Sequence, residues 1–133
     1  MNRVTVEPGA GTAASLGRDL EYLWSCYERR WQAALQPPWP DPDLLRLAAD
    51  EAHRLATAFD SRDGQLEWDE AWEAVTTAGN LLDLYGRAAQ LACCCEVGFR
   101  LPEAFRPLAT SCRAALKHAG AAVAQLTQAL EAG

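Results

Sequence analysis

Six carboxylates crowd the centre of the chain. Asp60, Asp63, Glu67, Asp69, Glu70 and Glu73 fall between Phe59 and Glu73, against the single Arg62. Closely spaced carboxylate oxygens are the donors that a hard cation such as calcium takes. Two tryptophans, Trp68 and Trp72, stand one helical turn apart in the same stretch. An aromatic anchor inside an acidic rim is the chemistry of a surface that grips a basic partner. Elsewhere, Arg113 and His118 pair a cation able to hold phosphate with an imidazole able to move protons near neutral pH. Five cysteines, Cys26, Cys93, Cys94, Cys95 and Cys112, complete the reactive inventory.

The central stretch resembles an EF-hand loop in part. Gly64, Leu66 and Glu70 stand at the spacing of that loop's sixth, eighth and twelfth positions. The same register puts Phe59 where the first carboxylate belongs, and Asp60 is one residue too close. The loop is a residue short. Asp60, Asp63 and Glu70 therefore form the alternative metal set, and an acidic helix start is the main reading. Arg113 and His118 match the Arg-x4-6-His pattern in the last helix of HEPN-type helical ribonucleases and toxins. That resemblance implies a four-helix bundle in which Arg113 holds phosphate and His118 helps to activate a ribose hydroxyl, usually across a dimer. Ala114 stands where the family usually has a polar residue, and Arg46 with His53 satisfies the same pattern. The three contiguous cysteines point about 100° apart in turn on a helix and cannot all face one metal. No Cys-x-x-Cys and no Glu-x-x-His pair is present. The cysteines read as small core hydrophobes, and no cofactor is expected.

Bulk properties narrow the classes. The chain of 133 residues is the size of one domain. It is half apolar, rich in Ala, and has no Ile. That composition favours helix over strand. The net charge of −6 disfavours nucleic acid, whose binding is dominated by cation contacts to phosphate. No apolar run is long enough for a membrane span. The first residues lack the apolar segment of a secretory signal. The odd, partly contiguous cysteines suit a reducing, cytoplasmic setting.

Four amphipathic segments must position these groups. Residues 1–11 read as a flexible tail and 12–133 as one helical domain. Thr12 or Ser15 is a candidate cap for a first helix whose stripe runs from Leu16 through Leu20, Leu23, Trp24, Tyr27, Trp31, Ala34 and Leu35. Four prolines around Trp39 break it. Asp41 then Pro42 start the second helix, whose stripe is Leu44, Leu45, Leu47, Ala48, Ala52, Leu55, Ala56 and Phe59 and which ends near Asp60. A third helix from Asp63 or Gly64 to about Val97 is long, apolar on more than one face, and a candidate for a kink at Gly79. A short turn at 102–106 is expected to precede a last helix with Pro107 in its first turn. Its Ala-rich stripe offers a second copy a surface to pair with. The fold expected is an all-α, antiparallel four-helix bundle. The function expected is a non-enzymatic interaction module of the adaptor, immunity or antitoxin-like inhibitor, or secretion-chaperone kind, bacterial in style. It would engage a basic protein surface through Glu67, Trp68, Asp69, Glu70, Trp72 and Glu73, with Trp39 second. A ribonuclease using Arg113 and His118, and an ion-binding module built on the EF-hand-like loop or on a Cys/His metal site, are the alternatives.

Overall fold

A computed structural model describes residues 10–36, 41–59, 66–95 and 101–132. They form four helices, α1 (Ala10–Ala34), α2 (Pro42–Phe59), α3 (Leu66–Cys95) and α4 (Leu101–Ala132). Each helix packs on its neighbours in the chain, and α4 closes the ring on α1. The result is the expected antiparallel bundle. Its fully buried centre is built from Trp31, Leu45, Phe59, Val75, Leu82, Cys112, Leu116 and Leu126.

Local signals account for the helix ends. The Asp41 side chain accepts from the backbone N–H of Asp43 at 2.9 Å and of Leu44 at 3.3 Å, the N-cap that the Asp-Pro pair announced. The end of α1 tightens into i to i+3 bonds, from Leu35 N to Gln32 O and from Gln36 N to Ala33 O. Two boundaries differ from the reading above. Helix α1 is already running at Ala10, so Thr12 and Ser15 lie inside it and do not cap it. Helix α3 is described from Leu66, and the start expected at Asp63 or Gly64 lies outside the described residues. Helix α4 runs through from Leu101 with Pro107 in its second turn. Proline keeps a helical φ and forfeits one backbone bond. Pro107 itself is exposed.

Helix α3 continues unbroken through Gly79 for 30 residues, about 45 Å. The glycine has a packing cause instead. A Cβ at Gly79 would stand 2.9 Å from His53 Nε2 and 3.2 Å from the Ala52 Cβ. One heptad on, a Cβ at Gly86 would stand 2.9 Å from Arg46 Cγ and 3.3 Å from the Leu45 Cβ. Residues 46 and 53 thus sit over residues 86 and 79, in antiparallel register. The two glycines let α2 and α3 approach closely, and α2 meets α3 along far more of its length than it meets α1.

Candidate functional site

Helix α3 begins with four acids in two turns, Glu67, Asp69, Glu70 and Glu73. Its core stripe of Trp68, Ala71, Val75 and Ala78 is buried and sets its rotation. Trp68 is 5% exposed, its ring 6.0 Å from that of Phe59 at the end of α2. Trp72, one turn on, is 38% exposed. Of the two tryptophans, then, Trp72 is presented to solvent and Trp68 supports the helix from beneath.

That rotation turns Glu70 and Glu73 toward α4. They line a groove of 590 Å³ with Ala74 and Thr77, facing His118, Ala121, Ala122 and Gln125 of α4. Trp72 does not share it. Two residues of helix separate Trp72 from Glu70 by about 160°. The acidic groove and the exposed indole occupy different flanks of α3, where the sequence suggested one patch. Asp69 is exposed and Glu67 half-buried. Among the described residues, neither ion pair, Arg30 with Glu51 or Arg87 with Asp83, involves any of these four acids. Among the described residues their charge is left without an ion-pair partner. Trp39, Asp60 and Asp63 lie outside the described residues.

Arg113 and His118 are five apart on α4, about 140° around it. The Arg113 guanidinium donates to the Leu35 carbonyl at 3.2 Å, closing the C-terminal end of α1. His118 looks the other way, into the groove on α3. Within one chain the two groups serve different neighbours. Arg46 and His53 are engaged as well. His53 Nε2 donates to Asn80 Oδ1 at 2.9 Å, and the Arg46 stem lies over Gly86.

Cys112 is fully buried. Burial pushes its thiol up to about 11, with Arg113 opposing in part. Tyr85 is raised too, by burial first and then by Cys112. A thiol so protected is a hydrophobe at neutral pH. Among the described residues, no group of three His, Cys, Asp or Glu side chains is arranged to hold a metal ion.

One polar centre escaped the sequence reading. Trp31 is fully buried, and its indole Nε1 donates to Glu51 Oε1 at 3.0 Å. The other oxygen of Glu51 takes the Arg30 guanidinium. Arg30 in turn lies over the Tyr27 ring at 5.1 Å, and Tyr27 stacks on Trp31 with centroids 5.4 Å apart. The sequence signal was Trp31 in a core stripe, because a buried indole N–H needs an acceptor.

No protein-family model, curated protein or solved structure significantly matches the chain.

Proposed function

We propose that the chain is a non-enzymatic interaction module that takes a basic segment of a protein partner into the acidic groove between α3 and α4. The observation that carries this reading is the placement of Glu70 and Glu73, without ion-pair partners among the described residues, along an open groove of 590 Å³. A lysine or arginine side chain entering there meets two carboxylates, with the Thr77 hydroxyl and the Gln125 amide as further polar partners. Asp69 and Glu67 extend the negative field beside it and steer a cationic partner toward docking. Trp72 on the neighbouring flank is the aromatic contact for a partner that wraps α3. The net charge of −6 agrees with a basic partner and disfavours nucleic acid. Adaptor, inhibitor or antitoxin-like, and chaperone roles all use such a surface.

Affinity capture from the native host, followed by titration of the captured partner, tests this. The double variant Glu70→Lys with Glu73→Lys is expected to weaken binding by roughly tenfold or more, since each reversal replaces an attraction with a repulsion. A partner that binds this variant as tightly as it binds the original chain would show that the groove is not the docking site. Ribonuclease activity abolished by His118→Ala would favour the nuclease reading instead.

A further inference from the structure

Another groove lies on the opposite seam and has a different chemistry. Helices α1 and α2 meet over much less of their length than α2 and α3 do. Between them a recess of 230 Å³ opens over Ala33, Ala34 and Ala48, with Trp31 at its wall. Leu44 and Leu47 project beside it, 49% and 48% exposed. Leu23, 39% exposed, stands one heptad before Arg30 on the same edge of α1. The patch thus carries both a hollow and the apolar knobs that fit one. A self-complementary surface is what a two-fold symmetric contact requires, because each copy supplies the same residues to the other.

Charge favours the same occupant. The charged side chains that line the recess are Arg30 and Glu51, and they pair with each other. This face is neutral within a chain of net charge −6. It is therefore a place where two copies meet without like-charge repulsion, whereas the start of α3, with four acids and no base, would repel its own image. The Ala stripe of α4 is not open to this use, because Ala109, Ala119 and Ala122 are buried in the bundle.

We propose that a second copy of this chain docks on the α1–α2 seam, with Leu44 and Leu47 of each copy seated in the recess of the other. The acidic α3–α4 groove then stays open on each protomer, so a dimer presents two docking grooves. Sedimentation equilibrium of the full chain over the micromolar range tests this. A monomer–dimer equilibrium is expected. Leu44→Glu with Leu47→Glu is expected to raise the dimer dissociation constant by roughly tenfold or more. Both leucines are half exposed, so helix content by circular dichroism should be unchanged. A photoreactive benzoylphenylalanine at position 47 should crosslink to a second copy without perturbing the core. A monomer throughout the range, an open-ended polymer, a dimer indifferent to the double variant, or a photoproduct lacking the dimer band would each overturn the proposal.

Discussion

Glu51 shows how much one side chain can hold in this bundle. Its carboxylate, 14% exposed, satisfies the only donor of a fully buried indole and anchors Arg30 beside the Tyr27 ring. Glu51→Ala leaves the Trp31 N–H buried without an acceptor, and it frees Arg30. The expected cost is about 1–3 kcal/mol in denaturant unfolding. Arg30→Ala should cost less, because that guanidinium is largely in water. At Cys112 the raised thiol carries a sign that can be checked. The folded state disfavours the thiolate, so the unfolded chain loses its proton first. Stability should therefore be flat below the ordinary value near 9 and fall as pH rises from there toward about 11. Unfolding at a series of alkaline pH values should show that fall, and Cys112→Ala should reduce its slope, with buried Tyr85 contributing in the same direction. Thiol-modifying reagents at neutral pH should leave Cys112 unmodified until the chain unfolds, while half-buried Cys26 reacts in the folded state.

Helix by helix, the periodic stripes were legible and the breaks were not all what they suggested. Leu20, Trp24, Trp31 and Leu35 are buried as their spacing implied, and so are Leu45, Ala48, Ala52, Leu55, Ala56 and Phe59, whereas Leu23, Leu44 and Leu47 of the same stripes are exposed. Gly79 looked like a weak point, since glycine costs a helix up to about 1 kcal/mol relative to alanine. Its neighbour on α2 explains it. Gly79→Ala should gain that propensity yet lose more, because His53 is held by Asn80 and cannot retreat freely. A net loss of about 1–2 kcal/mol is expected from overpacking. Gly86→Ala should cost less, because the Arg46 stem can swing outward. Thermal unfolding of the two variants side by side separates these outcomes. Equal stabilisation of both would mean that the glycines are ordinary propensity defects and do not set the α2–α3 spacing.

At the scale of the whole molecule, charge and apolar surface are partitioned. Glu70 and Glu73, without ion-pair partners among the described residues, line the α3–α4 groove, and the neutral seam with projecting leucines lies between α1 and α2. If the acidic groove does the docking, partner affinity should fall steeply between low salt and about 1 M, where the screening length shrinks to about 3 Å. Dimer formation through the neutral seam should be insensitive or strengthen over the same range. Titration calorimetry and sedimentation in one salt series distinguish the two surfaces. The sequence by itself determined that the chain is four amphipathic helices closing one core, because a 3.6-residue repeat and an Asp-Pro cap are local properties. It also located the acids. Only the tertiary structure decided which flank of each helix meets which neighbour. Periodicity says that a face is buried, not against what. Packing all four helices turned Glu70 and Glu73 toward His118 and left Trp72 on another flank. It sent Arg113 to Leu35, 78 residues away, and brought Glu51 under Trp31. Each of these contacts depends on the register between helices, which no single stretch of sequence contains.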